Sequence, residues 1–193
     1  MFFDHYVAVG IVATTIGLIS YIPYFRDIFR GTTKPHPFSW FAWGTITAVA
    51  FAAQIVKGGG AGTWATGITV VACYGIAALA LVKGEKTIST LDWFCFAGAL
   101  FGIALWIATS NPLAAVVIVC IVDLIAFVPT FAKAYRKPDE ETVSTYSLGV
   151  AKWILSILAL RSVNLTTALF PVVVTVLNAV FVVMVLLKRR RAA

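Results

Sequence analysis

Charge is scarce in this sequence. Asp, Glu, Lys and Arg together make 12% of its 193 residues, against about a quarter in an ordinary soluble domain. So few cannot build a water-facing shell around a chain that is 61% hydrophobic with a mean hydropathy of +0.95, and a soluble globular protein is excluded. Histidine is nearly missing: His5 and His36 both fall at the edges of apolar stretches. The three cysteines, Cys73, Cys95 and Cys120, lie inside apolar runs and in no CxxC spacing. They read as small buried hydrophobes, with neither a disulfide framework nor a metal site. No nucleophile–base pair, metal cluster or phosphate-binding glycine loop can be assembled from what remains. The chain is expected to be no enzyme and to need no cofactor.

What the sequence has in abundance is long apolar runs, each sufficient to cross a hydrocarbon core of roughly 30 Å. The opening Met1-Phe2-Phe3-Asp4-His5-Tyr6 lacks the cationic segment of a cleaved signal peptide, so the first run is expected to be a permanent helix. The pattern predicts an all-α integral membrane protein with seven transmembrane helices over Tyr6–Phe29, Phe38–Lys57, Thr63–Val82, Leu91–Thr109, Pro112–Tyr135, Ser144–Val163 and Leu165–Leu187. Glycine- and proline-rich breaks separate them: the segments 31–37, 58–62, 84–86, 110–112 and 137–141. The last break, near Asn164, is the least marked.

The net charge of +7 suggests nucleic acid only until the basic residues are located. Arg26, Arg30, Lys34, Lys83, Lys86, Lys133, Arg136, Lys137 and the run Lys188-Arg189-Arg190-Arg191 all fall on the side that holds the C-terminus. The opposite side has Lys57 and Arg161, and Lys152 lies within a span. Twelve against two predicts a plasma (inner) membrane protein with its N-terminus outside and its C-terminus in the cytoplasm. The C-terminal run reads as an anchor against lipid headgroups, and nucleic acid is not an expected partner.

The chain also repeats itself. At an offset of 106 residues, Leu18-Ile19-Ser20-Tyr21-Ile22-Pro23-Tyr24-Phe25 lies over Leu124-Ile125-Ala126-Phe127-Val128-Pro129-Thr130-Phe131 without a gap. The same offset puts Phe29-Arg30 on Tyr135-Arg136, Ser39-Trp40 on Thr145-Tyr146, Thr69 on Thr175, and Lys83 on Arg189. Two three-helix units joined directly would face opposite ways, and one linking helix restores the second to the orientation of the first. The expected organisation is a first bundle over residues 1–86, a linker helix within 87–111, and a second bundle with its basic tail over 112–193.

A proline deep in the first helix of each repeat, a basic loop after it, and a 3+1+3 plan with the N-terminus outside resemble the SWEET and PQ-loop transporter superfamily. The residue after each proline is Tyr24 or Thr130, where that superfamily has glutamine. The resemblance implies parallel repeats related by an axis along the membrane normal, and alternating access for a small polar solute such as a sugar. It also implies that Pro23 and Pro129 act as paired hinges, and that Asn178 in the last helix stands where these transporters bind sugar.

The residues themselves nominate further positions. Asp123 and Lys152 are charges within spans, and such charges are paired or face an aqueous cavity. At 1.5 Å per residue Asp123 lies roughly 17 Å from the outer end of its helix and Lys152 roughly 12 Å from the inner end of the next, so an ion pair is open to them. Either a structural lock or a site for proton-linked or solute binding fits. Trp40-Phe41-Ala42-Trp43 reads as an interfacial aromatic belt or, through Trp43, as a stacking platform; a similar WxxW pair occurs in the PnuC vitamin transporters. Tyr21 near Pro23, Trp153 and Gln54 are further candidates for a cavity wall. The partners expected are the bilayer and a small polar solute, with protons and a homo-oligomer left open. A receptor or assembly protein on the same scaffold is the alternative. A retinal protein would need a lysine midway along Leu165–Leu187, and none is there.

Overall fold

The computed structural model describes residues 4–33, 35, 37–84, 90–136, 138–140 and 143–192. Met1, Phe2, Phe3, Lys34, His36, Glu85, Lys86 and Lys137 lie outside them, as do the side chains of Cys95, Pro129 and Lys133. The described residues form seven α-helices: α1 (His5–Arg30), α2 (Pro37–Val56), α3 (Trp64–Lys83), α4 (Thr90–Thr109), α5 (Pro112–Arg136), α6 (Val143–Leu158) and α7 (Leu165–Ala192). Short 3-10 turns stand at Gly60–Thr63 and Pro138–Glu140. No strand occurs among the described residues.

The ends are set by short-range chemistry. Asp4 caps α1 by accepting from the Tyr6 amide at 3.1 Å, and Gly31 closes the helix in the left-handed region at φ 75°. Asn111 caps α5 by accepting from the Leu113 and Ala114 amides. Asn164 caps α7 through the amides of Thr166 and Thr167 at 3.0 and 3.2 Å.

Four stretches are long and apolar enough to cross a membrane: His5–Arg30, Ser39–Val56, Gly60–Lys83 and Leu165–Arg190. Shorter apolar stretches run over Leu100–Thr109, Pro112–Val128 and Val143–Leu158. The sixth helix differs from the expected Ser144–Val163. It stops at Leu158, and Ala159 and Leu160 turn back into the interior, where both are buried. The Arg161 amide then bonds the Gly59 carbonyl at 3.2 Å. Hydropathy continues past the end of the helix because these residues pack inward without being helical. The seventh helix runs beyond the expected Leu187 into the basic tail, where Arg189 bonds the Pro138 carbonyl at 2.9 Å.

In the packing, α3 lies against both α1 and α2, and α7 lies against both α5 and α6. The two groups meet where α1 crosses α6 and where α2 crosses α5, while α4 lies along α5 and α2. The main core is built of small and branched side chains from α2 and α5, including Ala42, Ile46, Ala50, Ala115, Val116 and Val119, with Trp153 and Phe170 closing it. These helices approach closely because their facing residues are small.

At the end that holds the α1 N-terminus, bonds run between the two groups. Arg161 pairs with Asp4, the Ser156 hydroxyl donates to the Gly62 carbonyl at 2.6 Å, and Gln54 Nε2 donates to the Thr167 carbonyl at 2.9 Å. Glycine is required here twice over. Gly60 sits at φ 62°, and a Cβ on Gly62 would stand 2.6 Å from the Ser156 oxygen.

Candidate functional site

Where α1, α3 and α6 meet, the interior is polar. Lys152 is buried on α6, and its ammonium donates to Thr69 Oγ1 of α3 at 2.9 Å. Thr69 in turn donates to the Ala65 carbonyl, one turn back on α3, at 2.8 Å. The Lys152 nitrogen lies 5.2 Å from the centre of the Tyr21 ring and 4.3 Å from that of Trp153. This cage is half built from each group of helices: Tyr21 and Thr69 come from α1 and α3, Lys152 and Trp153 from α6. The lysine stem fits because α1 has Gly17 opposite it, where a Cβ would stand 3.0 Å from Lys152 Cδ. An ammonium has three protons to donate. Thr69 takes one, and ring faces stabilise the charge beside it.

Asp123, on α5, is equally buried at 3% exposure. Across the α2–α5 crossing, Trp43 Nε1 is buried without a hydrogen-bond partner. Among the described residues no ion pair joins Asp123 to Lys152. The two charges occupy the two different crossings, Lys152 that of α1 with α6 and Asp123 that of α2 with α5. Cys73 of α3 is buried and free.

The remaining candidates lie around these two. Trp43 stacks edge-on against Trp40 with centroids 5.3 Å apart and reaches Phe127 of α5 at 6.0 Å. An aromatic series continues through Phe131 and Phe181 to Tyr146, so rings from α2, α5, α7 and α6 bridge the groups. Asn178 is buried on α7 with its amide nitrogen against Gly149, where a Cβ would stand 2.8 Å away. Pro23 lies within α1, and Pro129 falls within the length of α5. Gln54 belongs to the ties at the α1 N-terminal end, and its Oε1 is left without a partner.

Sequence reasoning passed over Thr69 and Cys73 as site residues and Pro171 as a helix-interior proline. Thr69 stood out solely as a match to Thr175. Pro171 lies in α7, where Thr175 Oγ1 donates to its carbonyl at 2.6 Å. A cavity of about 520 Å³ opens at the α1 N-terminal end, lined by Val7, Phe51, Ile55, Ala61, Trp64 and Arg161 among others. Neither Lys152 nor Asp123 lines it.

Comparison of the chain with protein-family models, with curated proteins and with solved structures finds no match. The chemistry of the interior is therefore the ground on which function is argued. Two opposite charges buried between helices and not paired with each other are the kind of group that binds a polar solute or exchanges a proton.

Proposed function

We propose that this chain is an integral membrane transporter of a small polar solute, working by alternating access between two three-helix bundles, α1–α3 and α5–α7, linked by α4. The observation that carries the reading is the packing pattern. The third helix of each triplet lies against the other two, and the triplets meet at α1 with α6 and α5 with α2. Exchanging α1 with α5 and α2 with α6 turns each crossing into the other, which is what a two-fold axis between parallel repeats requires. The 106-residue offset in the sequence supports the same correspondence.

On this reading all seven helices span the plasma membrane, with the N-terminus outside and the basic C-terminus in the cytoplasm. Tyr21, Trp43, Asp123, Lys152 and Asn178 contribute to solute binding or coupling between the bundles. Pro23 and Pro129 supply the bends on which they rock, because a helix-interior proline leaves the carbonyl one turn before it without its bond. The Arg161–Asp4 pair, the Ser156 bond to Gly62 and the Gln54 bond to Thr167 close the outer end, and the Trp43–Phe127 contact crosses the interface deeper in. Asp123 is the group that links transport to a proton gradient. No chemical conversion of the solute is involved.

The test is solute uptake by the purified chain in liposomes, with and without a pH gradient. Uptake above protein-free vesicles is expected, with its gradient dependence lost in Asp123→Asn. Uptake that stays as gradient-driven in Asp123→Asn refutes the proton role, and absence of uptake across a broad panel refutes transport.

A further inference from the structure

The cavity at the α1 N-terminal end has walls unlike the polar interior around Lys152. It encloses about 520 Å³, within the roughly 300–1,000 Å³ of sites that hold small molecules. Val7, Phe51, Ile55, Ala61 and Trp64 line it with apolar surface, and Arg161 supplies a cation. Two of these wall residues also belong to the outer surface: Ile55 is 54% exposed and Trp64 42%. The cavity therefore opens through apolar side chains, which meet acyl chains in a bilayer. Trp64, at the start of α3, is the amphipathic ring favoured at headgroup depth. Arg161 is held in place by its backbone and its stem. Its amide bonds the Gly59 carbonyl, and its stem lies on Gly60, where a Cβ would stand 2.8 Å from Arg161 Cγ. A guanidinium has five N–H donors, and among the described residues Asp4 engages it through Nη2 alone. Lys57, two positions past Ile55, is the second cation of this end, so two cations stand against the carboxylate of Asp4.

We propose that this cavity holds one acyl chain of an anionic phospholipid whose phosphate is received by Arg161. Guanidinium and phosphate meet through parallel N–H···O bonds, and each methylene taken into the cavity adds to the affinity. The excess of positive charge favours a headgroup with no cation of its own. The site is shared between the two groups of helices: Val7, Phe51, Ile55 and Trp64 come from α1, α2 and α3, and Arg161 from the connection between α6 and α7. A lipid seated there spans the same seam as the Arg161–Asp4 pair and ties the groups together at this end. The inference needs the chain to lie in a bilayer and holds whether or not it carries a solute.

Quenching of tryptophan fluorescence tests this, with the full chain in nonionic detergent titrated with phosphatidylglycerol or phosphatidylcholine bearing brominated acyl chains. Saturable quenching by phosphatidylglycerol is expected, with phosphatidylcholine bound about ten-fold more weakly or worse, and Trp64→Phe should remove the saturable part. Arg161→Gln should weaken phosphatidylglycerol by about ten-fold, the worth of a hydrogen bond to a charged group, and abolish the preference between the two lipids. Asp4→Asn, which keeps the arginine and removes its partner's charge, should hold the affinity or tighten it. Equal weakening in Asp4→Asn and Arg161→Gln overturns the proposal, because the arginine would then be a structural tie and no receptor. Equal binding of the two lipids overturns it, as does saturable quenching that survives Trp64→Phe or the absence of any. Inorganic phosphate should leave the lipid in place, and displacement by it overturns the lipid in favour of a free anion. Should Arg161→Gln fail to fold, the preference of the wild type and its loss in Trp64→Phe decide alone.

Discussion

Replacing Gly62 with alanine separates a gate from a mere packing contact. At the end that holds the α1 N-terminus a Cβ on Gly62 would stand 2.6 Å from the Ser156 oxygen and 2.7 Å from the Leu160 amide. Both neighbours are backbone, so neither can swing aside. To reach an ordinary contact of 3.4 Å the two segments must part by about 0.8 Å, which weakens the bond from Ser156 to the Gly62 carbonyl. Overpacking of this kind costs about 1–3 kcal/mol. If the cost falls on the closed state alone, the balance moves toward an outward-open form by the same amount, roughly five- to 150-fold. Cys73 reports it. That thiol is 4% exposed, deep on α3, and in a background with Cys95 and Cys120 replaced by alanine it is the one site for an impermeant maleimide added from outside. Gly62→Ala should raise its labelling rate by about ten-fold, the rate equivalent of about 1.4 kcal/mol. Lowered melting temperature with unchanged Cys73 labelling would refute the reasoning, because the strain would then act on the whole fold and not on one conformation.

Three further substitutions bear on separate parts of the argument. Lys152→Met removes a buried ammonium and keeps the stem that packs on Gly17, so the melting temperature should hold or rise by about 2–4 °C while solute exchange is lost; a fall of that size would make the lysine a structural tie. Pro23→Ala restores a backbone donor within α1 and should slow exchange by roughly ten-fold without loss of stability; an unchanged rate would identify the bend as static. Asn164→Ala removes the acceptor for two amides at the start of α7 and should cost about 1 kcal/mol, a fall of about 2–4 °C by thermal melt, with exchange intact; an unaltered melt would mean that the Thr167 hydroxyl, which accepts from the Asn164 amide at 3.0 Å, holds the turn by itself.

Most helix ends were readable because the residues that set them act locally. Asn111, Pro112, Gly31 and Asn164 are caps or breakers wherever they stand, and their effect does not depend on the rest of the fold. The end of α6 was not readable, since Ala159 and Leu160 are as apolar as the helix before them and turn inward only because Gly59 and Gly62 stand ready to receive the chain. That Asp123 and Lys152 fall inside helices was legible from the apolar runs around them. Which way each side chain turns was not, and it is the direction that sends Lys152 to Thr69, 83 positions away, and Asp123 to the other crossing. Such a pairing depends on how α3 is rotated against α6, which no single helix encodes.

The proposed repeat nonetheless offers a usable signal. Where two copies of a unit share a scaffold, positions that pack the scaffold stay alike, as at Phe25 and Phe131 or Trp40 and Tyr146. Positions that meet an asymmetric solute have no reason to. Gly17 against Asp123, Ile46 against Lys152 and Ala72 against Asn178 are such departures, and each introduces a buried polar group in the second copy alone. The first copy answers with small residues or with partners: Gly17 makes room for the lysine, and Thr69 accepts its hydrogen bond. On the proposed transport reading, these departures are where the second copy meets the solute.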